Sequence, residues 1–166
     1  EVEHCGNGAR CFVRYVRDQG LTDKRSVRVK VHGGVITLHE RADGLVSVDM
    51  GAPMWDLPRI PFEPLHAQAL PSKATQAAGR WRIEWSGHSA DITPVSMGNP
   101  HAVQLVDNVD SAPVAEWGPQ IESHTRFARH VNAGFMQLLS RAEIRLRVYE
   151  RGAGETLALR RGHRAG

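Results

Sequence analysis

The chain has 166 residues, of which 41% are hydrophobic and 23% charged, which is typical of a globular protein with a sizeable core. No stretch approaches the roughly 20 apolar residues of a membrane span, and no leader pattern precedes a cleavage site, so we expect a cytoplasmic protein with no membrane partner. The formal charge of +3 disappears without Arg160, Arg161 and Arg164, and only 6% of the residues are aromatic. This pattern does not indicate a nucleic-acid partner.

The first fifty residues predict a helix followed by three strands. Four apolar residues between Cys11 and Val16 follow helical spacing within 7–17, and Gly20 is expected to be the C-cap. Two alternating segments, 26–31 and 35–39, flank a Gly-Gly pair and predict a β-hairpin. A third strand is expected at 45–50.

The composition changes after Gly51. Residues 51–71 are rich in proline and predict a connection between two units. Beyond it, a turn is expected at 97–101 and a partly helical stretch at 114–124, and the Gly-rich segment 150–156 resembles the start of an anion-binding helix terminus. The predicted strands of this second unit are 80–86, 91–96, 102–106, 131–139 and 142–149.

The two cysteines, Cys5 and Cys11, allow one disulfide at most, and the expected compartment argues against it. Cys11 has apolar neighbours and is expected to be a small buried hydrophobe. The nine histidines show no His-x-x-x-His spacing, so no metal site is indicated.

Cys5 precedes a glycine-rich turn, Gly6-Asn7-Gly8, that leads into the predicted helix. Unpaired backbone N–H groups and the helix dipole at such a place favour the thiolate. Cys5 is therefore a candidate catalyst.

Further polar residues that could take part in a site stand in predicted turns or at predicted strand edges. Each one alone is a weak signal, because most such residues serve a turn or the surface. Together they offer amide donors and acceptors and a guanidinium fork for a carboxylate, which suits a zwitterionic amino acid. The set consists of Asn7, Asn99, His101, Asn132, Glu150 and Arg151.

Five segments, in order and approximate spacing, resemble diaminopimelate epimerases over residues 1–158. They are Cys-Gly-Asn-Gly-Ala-Arg-Cys at 5–11, Val-Asp-Met-Gly-Ala-Pro at 48–53, Gly-Asn-Pro-His-Ala-Val at 98–103, Val-Asn with Phe-Met-Gln at 131–137, and Arg-Val-Tyr-Glu-Arg-Gly-Ala-Gly-Glu-Thr-Leu-Ala at 147–158. The resemblance implies an α/β (α+β) fold of two pseudo-symmetric domains, each a mostly antiparallel curved sheet or barrel around a central helix. We expect the rest of an incomplete first domain at 1–52, a second domain at 53–158 and a disordered tail at 159–166.

The resemblance also implies an activity and a set of roles. Such an epimerase converts LL-2,6-diaminopimelate to the meso isomer, for lysine and peptidoglycan synthesis, with two cysteines and no cofactor, and is typically a homodimer. Cys5 matches the first cysteine, and His101 and Glu150 match residues that tune thiol protonation. Residues implied to bind substrate are Gly6, Asn7, Asn99, Asn132, Glu150 and Arg151.

The pattern breaks at both ends of the chain. The family continues after Ala158 with its second cysteine, whereas Leu159 and Arg160 stand here. One hypothesis is a frame shift in the gene. If Leu159 and Arg160 are encoded as CTG-CGG, the shifted frame reads TGC-GG, which restores Cys-Gly directly after Ala158. Several dozen residues of the first domain are expected upstream of Glu1. We therefore expect the chain alone to be marginally stable and inactive as a two-base epimerase.

Three other interpretations remain open from the sequence. A proline racemase-like enzyme is the nearest, although that group carries His where Asn7 stands. A non-catalytic relic of the same fold is favoured by the missing second cysteine. A small nucleic-acid binder depends on the arginines of the tail alone.

Overall fold

A computed structural model of the chain describes residues 6–31, 34–64, 67–71, 79–156 and 160–163, with the backbone alone at 6–7 and 160–163. The chain divides into two compact units, Glu1–Ala52 and Pro53–Gly166. The assignment of these units to two epimerase domains stays a prediction.

The first unit begins with helix α1, Gly6–Asp18. Gly20 follows it at φ +65°, and its N–H donates to the carbonyl of Arg17 while that of Leu21 donates to Val16. These two bonds form a Schellman cap, which needs a left-handed residue that glycine adopts without a steric cost. The predicted helix and its C-cap are confirmed.

Three antiparallel strands follow, β1 (Ser26–Val31), β2 (Gly34–Glu40) and β3 (Val46–Val48). The hairpin is confirmed, with Val31 paired to Gly34, and the two residues between them lie outside the described ranges. The register places the valines of β1, Ile36 and Leu38 on one face, because side chains alternate along a strand. Helix α1 covers this face with Val13.

The expectation that Cys11 is buried is wrong, because the residue is exposed. Residues three and four apart share a helix face, so Ala9, Val13 and Val16 point to the sheet together. Cys11 lies on the other side of the helix with Phe12 and Tyr15, which are 44% and 61% exposed. The apolar residues of this helix thus cover two faces, and the sequence pattern did not show which one is buried.

The second unit is built on a mixed sheet with the order β10-β9-β8-β7-β6-β5-β4, and β11 also pairs with β9. All neighbouring strands are antiparallel except β7 and β8, which are parallel and are joined through helix α2, Val114–Glu122. The strands are β4 (Gln68–Leu70), β5 (Arg80–Trp85), β6 (His88–Ser96), β7 (Pro100–Leu105), β8 (Asn132–Leu138), β9 (Glu143–Glu150), β10 (Gly154–Glu155) and β11 (Arg160–His163).

The hairpin of β5 and β6 is longer than predicted. Trp85 pairs with His88 across Ser86 and Gly87, whose φ angles are +44° and +81°. Positive φ at both central residues defines a type I′ turn, which suits the twist of a hairpin. The Ser-Gly pair was the signal for this turn, and β6 begins at His88 rather than at residue 91 because of it.

The proline-rich segment is part of the second unit's core and not a loose connection. Ile60 and Phe62 are 0% and 3% exposed and pack with Ile92, Ile121 and other buried residues. The main chain of Met54 and Ser96 exchanges two hydrogen bonds of 2.9 Å, which ties the segment to the end of β6. The segment also supplies a 3₁₀ turn, Leu57–Arg59.

Helix α2 packs on strand β9 at close range. A Cβ on Gly118 would lie 2.6 Å from Cγ of Tyr149, closer than van der Waals contact allows. The loop before the helix is held by β9 as well, since Arg145 makes a bidentate pair with Asp110 at 2.7 Å and Arg147 donates to the carbonyl of Val109. The hydrogen bond from Arg145 lowers the pKa of Asp110 below its ordinary value.

The expected α+β class is confirmed by one helix on the sheet of each unit. Within the described ranges both sheets are open, so the alternative of a closed barrel is not found there. Arg160–His163 pairs with β9, whereas disorder was expected for the whole tail. No helix among the described residues is long and apolar enough to cross a bilayer.

Candidate active site

Five of the predicted site residues meet at one end of the sheet in the second unit. Strands β7 and β8 begin there and β9 ends there, because β8 runs parallel to β7 and antiparallel to β9. His101 is paired with Asn132, and Ala133 with Tyr149, so Glu150 comes next beside Asn132. The turn between β6 and β7 adds Asn99, and the turn after β9 adds Arg151.

Asn99 is placed by a tightly hydrogen-bonded turn. The N–H of Gly98 donates to Oγ of Ser96 at 3.2 Å, and the N–H of Met97 donates to the carbonyl of Asn99 at 3.2 Å. Gly98 has φ +95°, a conformation that favours glycine. Ser96 is itself 6% exposed, so the turn is fixed to a buried residue.

The side chains of His101 and Asn99 are joined by a hydrogen bond of 2.9 Å between Nε2 and Oδ1. An amide oxygen can only accept, so Nε2 of His101 carries a hydrogen. This bond fixes the orientation of the imidazole ring, as a partner on one ring nitrogen generally does. Both side chains are half-buried.

Asn132 is 5% exposed and links two strand ends. Its Nδ2 donates to the carbonyl of Pro100 at 2.9 Å, and its Oδ1 accepts from the N–H of Arg151 at 3.0 Å. These bonds use one of two amide hydrogens and one of two oxygen lone pairs. Asn132 therefore holds the strands that carry His101 and Glu150 together.

Glu150 and Arg151 are also anchored within the protein. Oε1 of Glu150 accepts from the hydroxyl of Thr156 at 3.0 Å, and Nη1 of Arg151 donates to the carbonyl of Arg129 at 3.0 Å. The guanidinium of Arg151 is a planar fork of N–H donors, which is the shape that fits a carboxylate.

The turn after β9, which the sequence likens to the start of an anion-binding helix terminus, uses three of its N–H groups within the protein. The N–H of Arg151 donates to Asn132, that of Gly152 to Glu122 and that of Ala153 to the carbonyl of Glu150. An anion site of backbone type needs N–H groups that point at the ligand, and all three are used inside the protein. These three N–H groups are therefore not available as donors to an anion.

The other predicted site residues belong to the first unit. Gly6 and Asn7 are the first two residues of α1, so the helix begins directly after Cys5 in the sequence, as predicted. Cys5 itself lies outside the described residues.

Comparison with known proteins identifies the family. The family model described as diaminopimelate epimerase matches residues 1–55 and 93–159, which include every predicted site residue. The chain belongs to the diaminopimelate epimerase family. Curated relatives named diaminopimelate epimerase include those of Cupriavidus taiwanensis, 61% identical, Paraburkholderia phytofirmans, 58%, and Ralstonia pickettii, 56%, each over 95% of this chain.

The chain spans about half the length of the diaminopimelate epimerases that it matches. The matched share is 54% of the Cupriavidus protein, 52% of the Paraburkholderia protein and 53% of the Ralstonia protein. The family match passes over residues 56–92, which contain most of the proline-rich segment and strands β4 and β5.

Sequence reasoning missed Glu122 and Thr156, which hydrogen-bond to the turn that carries Glu150 and Arg151. No sequence motif marked Glu122, because its role depends on the fold that brings the end of α2 to this turn. A cavity of about 260 Å³ near Arg82 and Arg126 contains none of the predicted site residues in its lining.

Proposed function

We propose that the chain supplies diaminopimelate-binding residues of a cofactor-independent epimerase, a cytoplasmic isomerase of lysine and peptidoglycan precursor synthesis. The observation that carries the proposal is the meeting of Asn99, His101, Asn132, Glu150 and Arg151 at one sheet end. Family membership supports the substrate class, since the relatives are named for it.

The chemistry follows from inversion at a carbon atom. A base must remove the α-proton from one face of the substrate, and an acid must deliver a proton to the other face. Cys5 is proposed for one of these roles, because a thiol that precedes a helix is favoured as thiolate. Donors aimed at the α-carboxylate then stabilise the carbanion without an external electron sink.

The residues of the second unit fit the binding of the charged substrate. The guanidinium of Arg151 suits a carboxylate, whereas the carboxylate of Glu150 suits an ammonium group. The amide of Asn99 can serve either group, and its bond to His101 keeps that imidazole in place. Tuning of a thiol by His101 and Glu150 is part of the proposal.

Binding by the 166-residue chain tests the substrate class. Calorimetric titration with LL- and meso-diaminopimelate is expected to show saturable binding that Arg151→Ala weakens by about tenfold or more, the size of a lost charged hydrogen bond. L-lysine lacks one of the two carboxylates of diaminopimelate, and L-proline has one carboxylate and one secondary amine, so both are expected to bind more weakly. Preferred binding of proline would favour the racemase-like alternative, and no binding of any of them would favour the relic.

Catalysis by the same chain is expected to be negligible. Its two cysteines are Cys5 and Cys11, and the position after Ala158 is Leu159. Inversion needs an acid on the opposite face, which this sequence does not supply from the family position. Chiral chromatography of LL-diaminopimelate incubated with the chain checks this, and conversion at the rate of a full-length relative would contradict it. We also propose that the longer enzyme is a homodimer, as the resemblance to the family implies.

A further inference from the structure

Glu122, the last residue of α2, contacts two loops that come together beside the candidate site. Its Oε1 accepts from the N–H of Gly152 at 3.3 Å, and its Oε2 lies 3.2 Å from Nδ1 of His130. Its own carbonyl accepts from the N–H of Val131 at 3.0 Å. The side chain is 15% exposed, so the carboxylate is largely enclosed by these partners.

The turn after β9 is held from two directions. Asn132, at the start of β8, accepts from Arg151, and Glu122, at the end of α2, accepts from the next residue, Gly152. Gly152 has φ +71°, so the chain reverses sharply at this point. The direction in which Arg151 leaves the sheet therefore depends on two acceptors from separate elements.

Glu122 also acts on the loop that anchors the guanidinium. Nη1 of Arg151 donates to the carbonyl of Arg129, the residue before His130. His130 has φ +58°, a left-handed conformation that is strained for a residue other than glycine. The bond between Glu122 and His130 opposes the release of this strain and so keeps the carbonyl of Arg129 in place.

We propose that Glu122 is a positioning residue for Arg151, through the N–H of Gly152 and through His130. The proposal rests on the proposed function, in which Arg151 binds a carboxylate of diaminopimelate. Glu122 itself makes no contact with substrate in this proposal. Removal of its carboxylate leaves Arg151 chemically intact but free to turn away from the substrate.

A double-mutant cycle tests the proposal because it separates an effect through Arg151 from a general loss of stability. Glu122→Ala is expected to weaken the binding of diaminopimelate about tenfold in the wild-type chain, the equivalent of about 1.4 kcal/mol. In the Arg151→Ala background the same substitution is expected to change the dissociation constant by less than about twofold. Equal losses in both backgrounds would overturn the proposal.

Two further variants test whether the loss of affinity is specific to the carboxylate of Glu122. Glu122→Gln retains an acceptor for Gly152 and a polar partner for His130, so it is expected to restore most of the affinity. Glu116→Gln, an exposed position on the same helix, is the matched control and is expected to leave binding unchanged. Should Glu122→Ala fail to fold, Glu122→Asp, which keeps the charge but shortens its reach, replaces it in the cycle.

Amide hydrogen exchange without ligand distinguishes failure of this proposal from failure of the proposed function. Glu122→Ala is expected to speed exchange at Gly152 about tenfold relative to the wild type and to Glu116→Gln, since an amide released from its acceptor is open to solvent. Unchanged exchange at Gly152 would overturn the positioning role even where binding is intact. Absence of diaminopimelate binding in the wild type would instead overturn the proposed function, and with it the role of Glu122 in binding.

Discussion

The two units differ in how much apolar surface each one buries. In the described part of the second unit, a cluster of twelve buried residues includes Ile60, Ile92 and Phe135, each 0% exposed. The corresponding cluster of the first unit holds Val13, Ile36 and Leu38. A small core seldom supplies more than about 3–5 kcal/mol, so we expect the first unit to be the less stable of the two.

This difference bears separately on the predicted site residues of each unit. The predicted site residues from Asn99 to Arg151 lie on strands and turns of the unit with the larger cluster, whereas Gly6 and Asn7 begin helix α1, which packs on the smaller one. Groups that bind substrate must be held in place to be effective. The predicted binding residues of the second unit are therefore held on the larger core, whereas those of the first unit lie at the start of a helix on the smaller one.

The largest loss of stability is expected from Phe135→Ala. The side chain fills the centre of the second unit's core, and removal of such a ring costs about 3–5 kcal/mol. Urea denaturation followed by tryptophan fluorescence measures it, since all four tryptophans belong to this unit. Leu139→Ala, at a side chain that is 46% exposed, is the control. Equal shifts for both variants would mean that the second unit lacks the core described above.

Leu38→Ala makes the corresponding change in the first unit. Leu38 is 0% exposed, and its truncation costs about 2–5 kcal/mol, comparable with all that a small core supplies. Amide protection in β1–β3 is expected to be lost, whereas Leu45→Ala, at a 61% exposed side chain, retains it. Persistent protection in the Leu38→Ala variant would show that the first unit is as stable as the second.

The sequence predicted those features that depend on local patterns. Alternating valines located β1, and Gly20 located the end of α1, because strand alternation and a left-handed cap each need particular residues at particular places. Asn99, His101 and Arg151 come together because the ends of three strands meet in space. From the sequence, their residue types and predicted strand-edge positions grouped them as candidates, and the resemblance to the family added their roles. Cys11 was misjudged because both faces of α1 carry apolar residues. Glu122 was missed because the N–H group of Gly152 that it binds lies 30 residues away in sequence.

An intermediate loss of stability is expected from Gly118→Ala. The new methyl group would clash with the ring of Tyr149, and overpacking of this kind costs about 1–3 kcal/mol. Gln120→Ala on the same helix is exposed and is expected to change stability by less than about 0.5 kcal/mol. Thermal unfolding of the two variants measures the difference. A Gly118→Ala variant as stable as the wild type would mean that α2 does not pack this closely on β9.

A smaller loss of stability is expected from Gly20→Ala in the first unit. The residue keeps φ +65° in the cap of α1, which costs alanine about 1 kcal/mol relative to glycine. Gly20→Asn is expected to lose less, because asparagine tolerates this conformation. Amide exchange in the last turn of α1 measures both, and equal stability of Gly20→Ala and the wild type would contradict the cap.

The smallest loss of stability is expected from Asp110→Asn. The hydrogen bond from Arg145 lowers the pKa of Asp110, so the pair stabilises the fold above the ordinary carboxyl range and the contribution is lost as pH falls through the lowered value. The variant is expected to be slightly less stable than the wild type at pH 7, and the difference is expected to be smaller at about pH 3, because it begins to decrease below the ordinary carboxyl pKa of about 3.9 and vanishes only below the lowered pKa. Denaturant titrations at both pH values measure it, with Asp107→Asn as the exposed control. A difference that grows on acidification would contradict the sign.

Chemical-shift mapping of diaminopimelate binding tests most directly whether the end of the β7-β8-β9 sheet is the substrate site. Titration of the isotope-labelled chain is expected to shift the amide signals of Asn99, His101 and Arg151, with smaller changes elsewhere in the second unit. Arg151→Ala is expected to reduce these shifts at the same ligand concentration. Shifts confined to the cavity beside Arg82 and Arg126, or shifts that Arg151→Ala leaves unchanged, would contradict the assignment of this edge as the site.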